Sequence, residues 1–217
     1  MSGLFFRSEA YSRQRRFTQE YAMLYSSRYL SPVGPLTLVS DGIHIVGLWI
    51  DGQKYFQSTL TEKPRLCDDL PVLSLAALWL DRYFSGARPS PSELPLAPAG
   101  SAFRKFIWQE LCRIPCGETV TYKALAARAA EAFHKKSMSA QAVGGAVGHN
   151  PVSIIIPCHR VVGADGSLTG YAGGIDRKIL LLKLEGVNTD AFHAPASRAS
   201  RGSLPKKRLS CPDDTPF

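Results

Sequence analysis

At 217 residues and 23.7 kDa, with 45% hydrophobic and 20% charged residues, the chain is long enough for one large or two small domains with a real core. No run approaches the roughly 20 apolar residues of a membrane helix, and the amino end, MSGLFFRSEAYSRQRR, lacks an export leader's apolar core, so no membrane association is expected. The formal charge of +8 is uneven: residues 101–187 hold 11 Lys+Arg against 6 acids and residues 31–100 hold 5 against 7, which suggests a polyanion partner for the later half.

Residues 1–25 show no sustained periodicity and read as a flexible extension. From Leu36, short β-branched and apolar runs begin. PLTLVSDGIHIVGLWI carries Asp41-Gly42 between two such runs, a hairpin signal, and Asp51-Gly52 marks the next turn. LPVLSLAALWLDRYFSG predicts a helix with Leu73, Leu75, Leu78, Tyr83 and Phe84 among its apolar positions, ending at Gly86. Antiparallel strands plus this helix make a small α/β domain over 26–95, and the proline-rich stretch 87–100 is the linker candidate.

Beyond the linker, SAFRKFIWQELCRI predicts a helix with Phe103, Phe106, Ile107 and Leu111 at helical spacing, stopped by Pro115, Cys116 and Gly117. TYKALAARAAEAF predicts an Ala-rich helix with Thr121 as its cap, and SAQAVGGAVGHNP a short helix of small residues capped by Ser139 and limited by Pro151. That order is helix-turn-helix spacing. The small helix suits close approach to another surface, and equally tight packing inside a core. VSIIIPCHRVV reads as a buried strand broken at Pro157, with Cys158 where the chain leaves it. A glycine-rich loop and the amphipathic helix DRKILLLKLEG close a mainly helical, winged-helix-like domain over 100–187. Residues 188–217 read as a flexible basic Ser/Pro-rich tail, with Lys206-Lys207-Arg208 a solvated cluster or a nucleic-acid anchor. The fold class is α+β.

The five cysteines, at 67, 112, 116, 158 and 211, are odd in number and irregularly spaced, which favours free thiols in a reducing compartment over a disulfide framework. Cys112 and Cys116 have no matching Cys/His pair nearby, so zinc is not expected. A cysteine becomes a useful nucleophile only as a thiolate, and its free pKa is about 8.5. His159 adjoins Cys158, yet neighbours on an extended segment point in opposite directions, so the dipeptide alone makes no catalytic pair. Taken singly, Tyr122 and Tyr171 are packing aromatics and Glu185 is a solvated carboxylate.

NPVSIIIPCHRVVGADGSLTGYAGG, preceded by AVGGAVGH, resembles the active-site region of the O6-alkylguanine-DNA alkyltransferases, the methylated-DNA–protein-cysteine methyltransferase family. The resemblance runs from residue 101 to 187 and, more loosely, to SPVGPLTLVSDG at 31–42. It implies single-use DNA repair: an alkylated guanine flips out of the duplex and its O6-alkyl group passes irreversibly to Cys158. The same chemistry on O4 of thymine is a further substrate option. His159 acts as base through a water, oriented by Glu185. Asn150 organises the turn between the recognition helix and the active-site strand. Tyr122 helps displace the nucleotide and donates a hydrogen bond toward the base. Main-chain groups around Val161 and Val162, with Tyr171, line the base pocket. The segment Ser139–Gly148, including Ala142 and Gly145, enters the minor groove, where small residues permit close approach. The partner is double-stranded DNA containing O6-alkylguanine. No cofactor and no metal are implied, and the protein is expected to be a DNA-associated monomer, cytoplasmic or, in a eukaryote, nuclear.

Several positions depart from the family pattern. Gln141 stands where members commonly insert an Arg into the base stack; Gln can hydrogen-bond the orphaned cytosine but lacks the charge and planar fork. The basic loop containing Lys135 and Lys136 is placed to compensate, within a longer connection between the two helices. Arg128 falls in the first of these helices and is not the missing Arg. Ala172 replaces a frequent Ser in the Tyr-x-Gly-Gly turn. The rival reading is a noncatalytic protein that flags alkylated DNA, against which the presence of Cys158 argues. A transcription regulator leaves PCHRV unexplained.

Overall fold

The computed structural model describes residues 23–193, so the readings for most of the amino-terminal extension and of the tail, with Lys206-Lys207-Arg208 and Cys211, lie outside the described residues. β1 (Tyr25–Ser31), β2 (Gly34–Ser40) and β3 (Ile45–Ile50) form an antiparallel meander. β1 precedes the first apolar run legible in the sequence. Its YSSRYLS pattern is mostly polar, and it takes its place by pairing along β2 from Tyr25–Ser40 to Ser31–Gly34. The β2–β3 turn follows the Asp41-Gly42 signal: Asp41 Oδ1 accepts from the amides of Ile43 (2.9 Å) and His44 (2.7 Å). A short strand, β4 (Arg65–Leu66), adds in parallel to β1, giving the order β3-β2-β1-β4.

α1 (Pro71–Phe84) packs against this sheet through Val72, Leu73, Ala76, Trp79, Leu80 and Tyr83. Proline in its first turn costs no helical hydrogen bond. Leu75 and Leu78, read as apolar positions of the helix, lie on its far side, 45% and 60% exposed, because the buried stripe runs through Ala76 and Trp79 instead.

The outer edge of β3 is occupied. Ile45 N donates to Pro95 O (2.8 Å) and Ile45 O accepts from Ala97 N (3.0 Å). Farther along, Leu48 N donates to Pro151 O (2.8 Å) and Leu48 O accepts from Ser153 N (2.8 Å). The linker candidate therefore runs along a sheet edge with Leu94 buried, and the segment leading to Cys158 is docked on the same edge.

α2 (Ala102–Cys112), α3 (Tyr122–Ala132) and α4 (Ala140–Gly148) are capped by Ser101, Thr121 and Ser139, whose side chains accept from Arg104, Ala124 and Gln141 amides. α3 and α4 make the helix-turn-helix. The choice left open for the small-residue helix resolves into two faces: Val143, Ala146 and Val147 are buried, while Gln141, Ala142 and Gly145 face outward. β5 (Val120–Thr121) pairs in parallel with β6 (Val161–Val162), and α5 (Ile175–Leu184) closes the element order. One apolar cluster runs through both halves, from Leu36 and Leu80 to Val147 and Ile155. Among the described residues no helix is long and apolar enough to cross a membrane.

The strand expected over VSIIIPC is corrected. Only Val152 makes a ladder contact; residues 153–156 turn, with Ile154 at φ +70° and Ile156 N donating to Val152 O (3.0 Å). The isoleucines are buried as expected. Their backbone is not extended, because the Asn150 amide gives the segment local partners that a strand takes from a neighbour.

Candidate active site

Cys158 opens a 3₁₀ turn, Cys158–Arg160. The Cys-His pair is thus helical rather than extended, and the objection that adjacent side chains must point apart falls. Cys158 is 4% exposed, and its Sγ accepts from Asn150 Nδ2 at 3.2 Å. The same nitrogen lies 2.8 Å from Ile156 O and 3.3 Å from Val152 O, while Asn150 Oδ1 accepts from Val152 N at 3.0 Å. Asn150 therefore folds the 150–158 turn and touches the sulfur. Burial pushes the Cys158 thiol up, and the Asn150 donor and the Lys178 charge offset only part of this. The resting group is a protonated thiol that needs a base.

His159 is fully buried, with Nε2 2.7 Å from Glu185 Oε1. Burial pulls the imidazole down, Glu185 opposes, and the balance leaves it below its ordinary value and neutral at pH 7. The facing carboxylate assigns the proton to Nε2. Nδ1 has no hydrogen-bond partner among the described atoms and is the basic nitrogen.

Glu185, expected to be solvated when taken singly, is 3% exposed. Arg160 grips it with two donors, Nε to Oε2 (2.8 Å) and Nη2 to Oε1 (2.9 Å), and Tyr83 Oη donates to Oε1 (2.8 Å). Against the upward push of burial, hydrogen bonds from His159 and Arg160 hold the carboxyl well below the usual carboxylate range. Lys178 is also fully buried, donating to Val161 O and to Thr169 O (3.2 Å), and burial lowers its ammonium to about 8. The main chain at Val161, expected to line a base pocket, is engaged by that lysine, and the β5–β6 ladder ties Val161 and Val162 to the residues just before Tyr122.

Tyr122 Oη donates to Thr169 O (2.9 Å). A Cβ on Gly170, already at φ +79°, would stand 2.5 Å from that hydroxyl, so only glycine lets the loop close on it. The Tyr171 ring meets His159 edge-on, with centroids 6.4 Å apart. A cavity of about 660 Å³ opens beside Tyr171. Gly144, Gly145 and Gly148 of α4 form one wall; Gly170 and Ala172 form another; Lys54 and Tyr55 of the N-terminal half close the third.

The structure thus buries two neighbouring pairs, Cys158 with Asn150 and His159 with Glu185, with Tyr171 against the His159 ring and Tyr122, the first residue of α3, bonded to the adjoining loop at Thr169. Ser139, Gln141, Ala142, Gly145, Lys135 and Lys136 lie apart from it as an exposed surface on α4 and the turn before it. Arg128 points elsewhere, 3.4 Å from Glu110. Arg160, Lys178 and Tyr83 join the buried site without a signal in the motif spacing that assigns them there. Arg160 was visible inside PCHRV, whereas Lys178 and Tyr83 look like ordinary residues of amphipathic helices. No group of three or more metal-ligating side chains occurs among the described residues.

The fold thus joins a helix-turn-helix to a buried cysteine, a histidine held by a carboxylate, and a glycine-walled cavity that reaches Tyr171. Residues 102–187 match the family model for the 6-O-methylguanine DNA methyltransferase DNA-binding domain, and residues 24–98 match that family's ribonuclease-like domain. The chain is 44% identical over 162 residues to a methylated-DNA–protein-cysteine methyltransferase of Haemophilus influenzae, covering 75% of this chain and 86% of that relative. It is 41% identical over 169 residues to one of Methanosarcina barkeri, covering 71% and 92%. A Mycobacterium tuberculosis OGT solved in complex with DNA superposes with a TM-score of 0.61 at 38% identity, over 79% of this chain and 96% of that one. The chain belongs to the 6-O-methylguanine DNA methyltransferase family.

Proposed function

We propose that the protein repairs DNA as a methylated-DNA–protein-cysteine methyltransferase, moving the O6-alkyl group of a flipped guanine to Cys158 once per molecule. The observation that carries this is the buried Cys158–Arg160 turn, in which Asn150 holds the sulfur of a protonated thiol and Glu185 holds the neutral imidazole of the next residue. His159 Nδ1 takes the thiol proton through a water. The thiolate Sγ then attacks the alkyl carbon, an S–C bond forms, and the C–O6 bond breaks with its electron pair leaving on guanine. Once the base is bound, the Tyr122 hydroxyl exchanges Thr169 O for the base and its single proton stabilises the departing guanine, while Tyr171 and the glycines of α4 shape the pocket. Reversal would need a second nucleophile to attack the alkyl carbon and expel the thiolate, so the thioether persists and each molecule acts once. A noncatalytic lesion binder has no use for this acid–base network.

The experiment is intact-protein mass after incubation with duplex DNA carrying O6-methylguanine. One methyl per molecule is expected, on the peptide containing Cys158 and absent in Cys158→Ala. No gain under reducing conditions rejects the reading.

Duplex DNA lies against the exposed face of α4, with Gln141, Ala142 and Gly145 toward the minor groove and Lys135 and Lys136 toward phosphates. Both lysines are exposed and line a groove between α3 and α4 with Lys123. Each neutralised phosphate contributes a slope of about −0.9 to log K against log salt. Replacing Lys135 and Lys136 with Gln is expected to flatten that slope by about 2 when binding is titrated by fluorescence anisotropy. An unchanged slope removes these lysines from the interface.

A further inference from the structure

From the N-terminal half, Tyr83 reaches the Glu185–His159 pair. Tyr83, on α1, is 4% exposed; its hydroxyl donates to Glu185 Oε1 at 2.8 Å and lies 3.5 Å from His159 Nε2. Its ring is fixed by stacking on Trp79 (5.5 Å, 9°) and by the edge of Phe84 (5.2 Å, 78°). Glu185 Oε1 thus receives three donors at once, from His159, Arg160 and Tyr83, while Oε2 receives Arg160 alone.

We infer that Tyr83 is a positioning residue for alkyl transfer, acting through Glu185 to set how strongly that carboxylate holds His159. This rests on the reading of Cys158, His159 and Glu185 as the transfer machinery. A donor shared onto Oε1 draws charge from the oxygen that faces the imidazole. With the Tyr83 hydroxyl present, Glu185 orients His159 and fixes its proton on Nε2 without binding it so tightly that the ring keeps a second proton. The other groups acting on His159 are Arg160 on the same turn and Lys178 of α5, with the Tyr171 ring edge-on to the imidazole and Cys158 the preceding residue. Arg160 and Lys178 disfavour the imidazolium, so Tyr83 works in the same direction as both. Burial and the adjacent Glu185 keep the phenol protonated, so its donor role is constant over the working pH range.

Tyr83→Phe keeps the ring and its stacking and removes only the hydroxyl. Less shared, Glu185 Oε1 becomes a stronger acceptor for His159 Nε2–H and a better partner for an imidazolium. Two readouts follow: the Nε2–H proton resonance of His159 in imidazole-selective NMR, and single-turnover methyl transfer against pH. In Tyr83→Phe the resonance is expected to move downfield. The acid limb of the rate profile is expected to move to higher pH, so that transfer falls about three- to tenfold at pH 6 and less than about twofold at pH 9. An unmoved resonance, or a rate lowered by one factor at every pH, overturns the inference. If the wild-type protein gains no methyl on Cys158, the proposed transfer falls, and the resonance by itself decides whether Tyr83 governs His159.

Discussion

Glu185→Gln is expected to lower unfolding stability by roughly 3–5 kcal/mol and the transfer rate by about a hundredfold or more. Among the described residues the carboxylate is the anion paired with the two-donor grip of Arg160, whose side chain is 8% exposed. A neutral amide leaves that guanidinium buried without its counter-charge and turns an NH₂ toward one of its donors, which is the costly way to break a buried pair. The same change removes the acceptor that fixes the proton of His159 on Nε2. The loss also has a pH signature. The folded-state value of Glu185 is depressed from its ordinary 4.5. Its contribution is therefore complete above the unfolded value and disappears as pH falls through the folded one. Urea denaturation of both proteins from pH 7 downward should show a wide gap that closes in acid, because the wild type then loses what the variant never had. Equal midpoints at pH 7 would sink this account of the Glu185–Arg160 pair.

Asn150→Ala is expected to cost roughly 2–4 kcal/mol and to slow transfer by about tenfold or more. Its side chain is the partner of Val152 N and Ile156 O inside a buried segment, and alanine leaves both without it. It also supports Ile154 at φ +70°, a left-handed backbone that a β-branched residue holds only where its surroundings impose it. The sulfur loses its side-chain donor, so the thiol pKa climbs further and the thiolate forms at higher pH. For a chain of this size a melting temperature lower by about 5–15 °C accompanies the stability loss. The rate, followed by Cys158 alkylation, should recover partly as pH rises. A variant with the wild-type melting temperature and pH profile would show that Asn150 is not what shapes the turn.

What could be read from the residues alone depended on how local the cause was. Caps at Thr121 and Ser139 and the Asp41-Gly42 turn involve partners within a few residues, and all three stand where expected. The helix-turn-helix was legible for the same reason. The isoleucine run is not a strand because Ile155 N and Ile156 N close on Ser153 O and Val152 O, Ile156 O takes the Asn150 side chain, and only the flanking Pro151 and Ser153 pair with Leu48, far away in sequence. β1 was missed because its neighbour β2, rather than its own composition, makes it a strand. Burial of Lys178 and Glu185 runs against their residue type. Val161 O and Thr169 O hold the first, Arg160, His159 and Tyr83 hold the second, and none of these pairings is written in the spacing of one helix.

The occupied edge of β3 sets a rule for recombining this protein with its relatives. Ile45 receives residues 95 and 97, and Leu48 receives residues 151 and 153, so two separate segments share one ladder in fixed register. A chimera that exchanges residues 23–98 for those of another member has to preserve more than the reach of the connecting chain. A donor strand shifted by one residue would present its amides and carbonyls out of phase, and the turn that carries the acceptor thiol would lose its anchor even with every residue of that turn unchanged. Successful grafts are therefore those matched at Leu48, a position well outside the motif by which the chemistry is recognised.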